Sequence, residues 1–537
     1  MKPFSVSALG AASIALLFLG ACKKDSGTTA EVDPTKPLAP FSCAAPAEGT
    51  NYSIYPLGNG GAGVGDVMPY YDAASGTTTI YYLRDIWNDG TNQHHPVNGF
   101  TTSDFVNYTQ TSTGEVLSSN STNCAQDFAV GTGSVVQRNG TFYFFYTGNN
   151  GNSCTGQKEG VMLATASGPN QKFTKQASFA TIYAPGGLSY DFGDNFRDPF
   201  VYFDAPSNQY LMLITARKDV GGGNWKGVLA KYTSTDLLSW SYQGVFYDGG
   251  ADNFFNMECP SLFKLGSTYY LLFSDQGSQN VYYRKSASLN GPWSAPSGTS
   301  RLDGNGFYAA KVITDKYGDN YLLGWVNRQQ GNSDTGSRQW GGNLVVHKLY
   351  QQANGDLAVT IPHTLKANLE AKPATLHVNA QVGNITTGSG NTFTLNSAAG
   401  SFLNNVVFDP ITAPRFKVST TVNYSSATKD FGFMLGACDN YNGFYSLRFI
   451  PSQNRFSLDK TDRRNVTTSS TTVDVPFKLS PNTDYTVDIV EENSVVVVYL
   501  NNTASLTCRV YRAPQSSWGL FADNATATFK NVTVTTP

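Results

Sequence analysis

The sequence predicts an all-β protein in which a five-bladed β-propeller precedes a C-terminal β-sandwich. Aromatic residues make up 13% of the chain, charged residues only 14%, and there are 52 glycines among 537 residues. This composition is typical of many short strands joined by glycine turns. Residues 51–362 repeat one plan, in which an apolar strand, a turn, an aromatic strand and a strand ending in Ser or Thr follow one another. Such a repeat indicates four-stranded blades around a central channel.

The second domain is predicted from a change of pattern. Residues 363–378 contain prolines and lysines and are interpreted as a linker. Residues 379–537 alternate apolar and polar positions, as strands with one buried face do, and this favours a β-sandwich. The segment "EENS" at 491–494 is interpreted as a hairpin turn. The sandwich either covers the flank of the propeller or binds sugar.

The N-terminal residues predict export. Residues 1–22 combine Lys2, a short apolar run and "LGAC", which resembles the lipobox of bacterial lipoproteins. We therefore expect Cys22 to carry a lipid that anchors the protein in the cell envelope, at the outer membrane or cell surface. A cleaved signal without lipid is the alternative. Residues 23–50 are polar and contain proline, as a tether would.

Charge and cysteine usage narrow the class of partner. The net charge of -2 gives no electrostatic reason to expect binding of nucleic acid or anionic lipid, so contact with a membrane would come only through the lipid anchor. A neutral sugar fits better. Neither the cysteines nor the five histidines show metal-binding spacing, and no metal or cofactor is expected. Cys124 with Cys154, or Cys438 with Cys508, are candidate disulfides in an exported protein.

Three acidic residues stand at the start of buried strands in different blades. Asp66 lies in "GVGDVMPYYD", Asp198 in "RDPF" and Glu258 in "NMECPSLF". Because the innermost strands of a propeller converge on one axis, these acids are expected to meet, and buried carboxylates are rare without a partner or a task. Pro199 favours extended geometry at Asp198. Cys259 is interpreted as a packed free thiol.

A longer series of motifs resembles glycoside hydrolase family 32, the β-fructosidases that include invertases, inulinases and levanases. The series comprises "GDVMPYYD", "GTGSVV", "FRDPFVYFD", "MECPSLFKL", "FYAAKVITDKYGDNYLLGWV" and "WGGNLVVHKLY". The resemblance implies the same propeller and sandwich and a retaining mechanism. It implies Asp66 as nucleophile, Glu258 as general acid/base and Asp198 as transition-state stabiliser, with Arg197 keeping Asp198 ionised.

The sequence departs from the family at its first motif. Many members have Trp-Met-Asn-Asp-Pro-Asn-Gly, whereas here Gly65 precedes the acid and Val67 follows it. The missing asparagine removes a sugar-binding amide, and this change affects the expected identity of the substrate more than the expected reaction. Asp72 is an alternative nucleophile, although "YYDAASGTTT" has the composition of a turn.

Further side chains are candidate sugar contacts. The aromatic candidates are chosen because aromatic faces cover the apolar faces of a sugar, and the polar ones because they can bond hydroxyl groups. For all of them except Arg197 a structural interpretation competes: core packing for the aromatic rings, a solvated loop for the histidines, and a tight turn for Ser134 and Asn256. The set comprises Arg197, Trp87, His94, His95, Ser134, Asn256, Tyr308 and Trp340.

The expected activity is release of fructose from a fructan (inulin or levan) or from sucrose with retention. Two alternatives remain: an inverting arabinosidase or xylosidase, since related five-bladed propellers include both, and a surface lipoprotein that binds glycans without cleaving them. Transfer of fructose to another sugar also stays open.

Overall fold

The computed structural model describes residues 51–87, 94–152, 154, 157–397, 403–437, 444–460, 472–512 and 516–537. The predictions for the export signal, Cys22 and the tether lie outside these residues. Within the described ranges, no helix is long and apolar enough to cross a membrane.

The first three blades are antiparallel sheets of four strands, as predicted. Blade I comprises β1 (Gly63–Asp72), β2 (Thr77–Asp85), β3 (Val97–Thr102) and β4 (Thr109–Leu117). Blade II comprises β5 (Ala129–Arg138), β6 (Thr141–Asn149), β7 (Glu159–Ala166) and β8 (Thr174–Lys175). Blade III comprises β9 (Phe196–Asp204), β10 (Gln209–Asp219), β11 (Trp225–Ser234) and β12 (Ser241–Tyr247).

Blades IV and V depart slightly from this plan. Blade IV has three strands, β13 (Met257–Leu265), β14 (Thr268–Asp275) and β15 (Asn280–Ser286). Blade V has β16 (Phe307–Thr314), β17 (Asn320–Gln329), β18 (Arg338–Gln351) and β19 (Leu357–Thr360). One antiparallel pair, Val64 with Gly342, joins blade V to blade I. Apolar clusters between neighbouring blades hold the ring together.

The predicted linker is an ordered segment that partly belongs to the sandwich. It contains helix α1 (His363–Leu369) and β20 (Lys372–Ala374). One sheet of the sandwich runs in the order β22 (Ile385–Gly388), β23 (Thr392–Asn396), β34 (Ala525–Thr536), β25 (Arg415–Ala427), β30 (Tyr485–Glu492), β31 (Val495–Leu500), β32 (Ala504–Arg509), with β20 on β34. The other runs β21 (Val378–Val382), β24 (Asn404–Phe408), β33 (Ser517–Ala522), β26 (Phe431–Ala437), β27 (Tyr445–Ile450), β28 (Arg455–Asp459), β29 (Val473–Pro476). The two inner faces share one large apolar core.

The sandwich is fastened to the propeller through buried polar contacts. The predicted hairpin turn between β30 and β31 is confined to Asn493 and Ser494, because Glu491 and Glu492 are the last residues of β30. Glu492 also accepts backbone N–H groups of Ser53, Ile54 and Tyr55 at 2.8 to 3.0 Å. His347 of blade V lies 3.0 Å from Asp303, which accepts the Thr507 hydroxyl at 2.6 Å. The two domains therefore share an interface with satisfied polar groups.

One of the two predicted disulfides is present and the other is not. Cys124 and Cys154 form a disulfide between the β4–β5 and β6–β7 connections. The alternative pairing of Cys438 with Cys508 is wrong, because Cys508 is a buried free thiol; Cys438 itself lies outside the described residues. Cys259 is the buried free thiol that the sequence predicts.

Candidate active site

The innermost strand of every blade contains an irregularity where it faces the central channel. The register of β1 shifts between Val64 and Val67, that of β5 between Gly131 and Gly133, that of β13 between Glu258 and Ser261, and that of β16 between Tyr308 and Lys311. The register of β9 against β10 shifts at the matching place. A β-bulge re-aims a side chain locally. The repeated bulge gathers one side chain from each blade: Asp66, Thr132, Asp198, Glu258 and Tyr308.

Four of these side chains, those of Asp66, Thr132, Asp198 and Glu258, line a cavity of about 250 Å³ at one end of the channel, whereas Tyr308 bonds Glu258 without lining it. Asp66, Asp198 and Glu258 all line it, so the structure brings the three predicted acids together. Its remaining lining residues among those described are Leu83, His95, Ala129, Val130, Gly131, Thr132, Thr147, Asn149, Glu159, Arg197 and Trp340. The cavity thus draws on all five blades.

Glu258 is held at both carboxylate oxygens. Arg197 donates to Oε1 from Nη2 at 2.6 Å and from Nε at 3.2 Å. The Tyr308 hydroxyl donates to Oε2 at 2.6 Å. Because three donors approach from two sides, the carboxylate is fixed in orientation toward the cavity.

Asp66 has a different environment. Its Oδ2 accepts the Thr132 hydroxyl at 2.5 Å, and its Oδ1 accepts the Trp325 indole N–H at 3.1 Å. Burial raises the pKa of the Asp66 carboxyl above its ordinary value, the bond from Thr132 opposes that rise, and nearby Glu258 adds to it. Two carboxyls in one cavity, each with its own partners, are the arrangement that acid/base and nucleophilic roles require.

Asp198 is the most deeply buried of the three acids. Its side chain accepts the Cys259 backbone N–H at 3.0 Å, and its own N–H donates to the Thr147 hydroxyl at 2.8 Å. The predicted extended geometry is wrong, since φ at Asp198 is +58°. The bulge, which also sets φ of Cys259 to +52°, overrides the preference imposed by the following proline.

The predicted role of Arg197 also needs correction. Arg197 bonds Glu258 and, through Nη1, contacts Glu159 at 3.3 Å, rather than bonding Asp198. Its positive charge lowers the pKa of Asp198, but burial outweighs that effect and raises the pKa to about 7. The principal hydrogen-bond partner of Arg197 is therefore Glu258, the candidate general acid/base.

A wall of rings borders the cavity beside Asp66. The Trp340 ring fills the space next to Gly65, where an added Cβ would lie 2.0 Å from it. The His95 ring stacks on Trp340 with centroids 4.5 Å apart, and burial lowers the pKa of His95 to about 4. The glycine that departs from the family motif thus makes room for an aromatic wall.

The remaining predicted contacts do not line the cavity. Trp87 donates its indole N–H to the Trp340 carbonyl at 2.9 Å, and His94 meets Phe128 edge to face. The Ser134 hydroxyl accepts the Val201 N–H at 3.0 Å and so joins blades II and III. Asn256 is fully buried and donates to Asn195 at 3.1 Å. Asp72 caps its turn by accepting the Ala74 N–H and the Ser75 hydroxyl, outside the cavity.

Four residues of the site escape sequence reasoning. Glu159 opens β7 and accepts the Phe196 N–H at 2.8 Å as well as facing Arg197. Thr132 and Trp325 hold Asp66. Lys311 is buried and donates to the Gly133 carbonyl at 2.5 Å; burial lowers its pKa, and its charge lowers that of Asp66. An acid directly before an apolar strand, in "KEGVML", was the available signal for Glu159.

Comparison with known sequences decides the family. A sequence model described as "Glycosyl hydrolases family 32 N-terminal domain" matches residues 80–358, more than half of the chain. The chain belongs to glycoside hydrolase family 32. A second model, "GH32, BT1760-like, C-terminal domain", matches residues 355–534. The first match begins after Asp66, so the assignment of that residue depends on the geometry of the cavity.

Individual members of family 32 are distant in sequence. The sucrose-6-phosphate hydrolase of Escherichia coli is 28% identical over 242 residues, which cover 42% of this chain and 48% of that protein. The raffinose invertase of Escherichia coli is 29% identical over 243 residues, with the same coverage. The chain therefore spans about half the length of these curated relatives.

Solved structures of the family share the fold. A sucrose-6-phosphate hydrolase from Lactobacillus gasseri superposes with a TM-score of 0.65 at 18% identity, covering 90% of this chain and 93% of that one. A β-fructofuranosidase of Aspergillus kawachii gives a TM-score of 0.68 at 18% identity with the same coverage. The predicted propeller followed by a sandwich is confirmed.

Proposed function

We propose that this family 32 protein is a retaining β-fructosidase that releases fructose from fructans or from sucrose. The observation that carries the proposal is the pairing of Asp66 and Glu258 in one cavity, with partners of different kinds. Asp66 is held by a hydroxyl and an indole N–H, and Glu258 by a guanidinium and a phenol. Each carboxyl is oriented, and both face the same space.

In the proposed reaction the terminal fructose occupies the cavity. Ionised Asp66 attacks the anomeric carbon while Glu258 protonates the departing glycosidic oxygen, which gives a covalent fructosyl-enzyme. Glu258 then takes a proton from water, the water oxygen bonds the anomeric carbon, and the bond to Asp66 breaks. Asp198, buried beside both, accepts hydrogen bonds from sugar hydroxyls as charge develops on the ring.

The test is reducing-sugar release from sucrose, sucrose 6-phosphate, inulin, levan, arabinan and xylan. We expect fructose from at least one fructan or from sucrose, and loss of that release in Asp66→Asn and Glu258→Gln. Asp72→Asn is the matched control, because Asp72 is a nearby acid of the same strand that caps a turn. Activity that survives Asp66→Asn but not Asp72→Asn would transfer the nucleophile role to Asp72.

The stereochemistry is tested by adding methanol. A retaining enzyme with a fructosyl intermediate forms methyl β-fructofuranoside, whereas an inverting enzyme forms the free sugar alone. Release of arabinose or xylose without methanolysis would favour the inverting alternative. Binding of a glycan with no product from any substrate would favour a binding protein. Sucrose 6-phosphate cleavage alone would assign the substrate named for several relatives.

We further propose that the protein is exported and anchored to the cell envelope by a lipid on Cys22. The disulfide between Cys124 and Cys154 supports an oxidising compartment. Detergent-phase partition of the wild type, lost in Cys22→Ala, is the expected result. Equal partition of both proteins into the aqueous phase would contradict the anchor.

A further inference from the structure

Exposed apolar side chains concentrate on blade III and at the start of blade IV. Of the eleven large apolar residues that are exposed in the described parts of the chain, eight lie between Leu188 and Phe255, on blade III, the segment before it or the start of blade IV, and five of these eight belong to the cavity end. Trp225 is 40% exposed and Phe255 is 45% exposed. We call this set the blade III–IV shelf; it comprises Leu188, Phe192, Val220, Trp225 and Phe255.

The shelf lies at the same end of the propeller as the cavity. The bulges stand near the starts of β9 and β13, so the starts of these strands mark the cavity end. Because neighbouring strands are antiparallel, the connection from β10 to β11 returns to that end, and it carries Val220 and Trp225. Phe255 directly precedes β13.

Contacts made by Arg217 and Asp219 order the backbone and one ring of the shelf. The Arg217 guanidinium lies 4.1 Å from the centre of the Phe255 ring and also donates to the Trp225 carbonyl at 3.5 Å. Asp219 accepts the Gly221 and Gly223 N–H groups at 2.8 and 3.2 Å, which fixes the turn before Trp225. The ring of Phe255 and the backbone of Trp225 are therefore held in place before any ligand binds.

A chain of polar contacts joins the shelf to Glu258. Phe255 is followed by Asn256, which donates to Asn195. The Asn195 side chain accepts from Arg197 at 3.2 Å, and Arg197 bonds Glu258. The five shelf residues lie outside the cavity lining, and this chain of contacts places the shelf on the side of the proposed general acid, whereas the ring of Trp340 borders the cavity beside Asp66.

The position of the shelf near Glu258 indicates contact with the leaving-group part of the substrate. The general acid protonates the oxygen of the departing sugar, so sugars beyond the cleaved bond extend over the side where Glu258 lies. Exposed aromatic faces cover the apolar faces of such sugars, and Arg217 and Asp219 offer a donor and an acceptor for hydroxyl groups. Sucrose has a single ring beyond its cleaved bond, while a fructan continues further.

We infer that the blade III–IV shelf binds the sugar units of a fructan chain that lie beyond the first unit on the leaving-group side. The inference rests on the proposed function and adds a polymer subsite to it. It predicts that Trp225 and Phe255 determine the preference for polymer over sucrose.

The kinetic test compares Trp225→Ala, Phe255→Ala and the double variant on levan, inulin and sucrose. The ratio of kcat/KM for the preferred fructan to that for sucrose is expected to fall about tenfold or more in the double variant. Trp225→Tyr, which keeps an aromatic face, is expected to recover most of that ratio. The control is Tyr317→Ala, since Tyr317 is 80% exposed and lies on the β16–β17 turn at the far end of blade V. An equal fall on both substrates, or no change in the ratio, overturns the inference.

A binding test separates the shelf from catalysis. In the Asp66→Asn background, electrophoresis through gels containing levan or inulin is expected to show retardation that the double shelf variant loses. Wild type that hydrolyses no β-fructoside refutes the proposed function, and retardation that depends on Trp225 and Phe255 then still supports the shelf. Retardation that persists in the double variant overturns the shelf. A dimer that the double variant abolishes, with fructan binding unchanged, would assign the surface to contact between copies instead.

Discussion

The ring of Trp340 occupies the space in which a side chain at position 65 would lie. An added Cβ on Gly65 would stand 2.0 Å from Trp340 Cη2, and this ring also stacks on His95 and borders the cavity. Residue 65 directly precedes Asp66. The absence of a side chain at this position therefore lets the Trp340 ring pack against the backbone beside the proposed nucleophile. The unusual first motif of this chain is explained by a residue 275 positions away.

Gly65→Ala is expected to push Trp340 out of position. We expect kcat/KM to fall roughly tenfold, mainly through KM, because the ring that borders the sugar moves while the acids keep their partners. Steady-state kinetics on sucrose or fructan measures this. Gly388→Ala is the control, since its added Cβ would meet Thr392 at an ordinary 3.5 Å. Unchanged kinetics in Gly65→Ala would refute the proposed contact between Trp340 and substrate.

Arg197→Lys is expected to lower kcat on the order of a hundredfold. A lysine has one ammonium and cannot bond Glu258 through two nitrogens while also facing Glu159. Glu258 would then lose its fixed orientation. Arg138→Lys is the matched control, because Arg138 bonds the Asp236 carbonyl at the far end of β5. A kcat close to that of the wild type would show that Tyr308 alone suffices to orient Glu258.

Thr132→Val is expected to move the acidic limb of the pH–rate profile upward. The Thr132 hydroxyl lowers the pKa of Asp66, so its removal raises that pKa and the ionised nucleophile appears only at higher pH. A hydrogen bond to a charged group contributes about 1.5–3 kcal/mol, which corresponds to a shift of about one to two pH units. The profile of kcat/KM against pH measures it. The control is Thr394→Val in the sandwich, which should leave the acidic limb of the profile unchanged. If the acidic limb is also unchanged in Thr132→Val, the ionisation of Asp66 does not determine it.

Glu491→Gln is expected to stabilise the protein at alkaline pH without affecting activity. Burial in the sandwich raises the pKa of Glu491 to about 8, above its unfolded value of 4.5. Stability from this group is therefore fully present below the unfolded pKa and is lost as pH rises through the folded pKa. At pH 9 the buried charge costs on the order of a few kcal/mol, which the amide avoids. Thermal melts at pH 5 and pH 9 should show a gain in Tm for the variant that is larger at pH 9; equal gains at both values would contradict the assignment.

The sequence predicts the candidate acids because each has a local signature. Asp66, Asp198 and Glu258 each stand before or within the start of an apolar strand, and the repeat of strands places them in separate blades. The ring contacts were harder to predict. Trp87 and Trp340 are both tryptophans near a turn or strand end, yet Trp340 lines the cavity and Trp87 does not, donating instead to the Trp340 carbonyl. Composition cannot distinguish these two environments.

Some contacts between residues of the site could not be predicted from the local sequence. Arg197 and Glu258 are 61 residues apart, and Trp325 and Asp66 are 259 apart. The positive φ of Asp198 contradicts the preference that Pro199 imposes locally. Such features arise when blades pack around a common axis, and a linear pattern does not encode their register.

The sequence by itself determined most of the strands, the order of the two domains and which three acids the cavity brings together. These follow from the period-two pattern of side chains and from turn residues, which act over a few positions. Only the tertiary structure decided that a bulge in every innermost strand turns a side chain to the axis, that Arg197 holds Glu258 rather than Asp198, and that Trp340 fills the place of a side chain at Gly65. Those relationships depend on closure of the propeller, which brings strands from opposite ends of the domain within hydrogen-bonding distance.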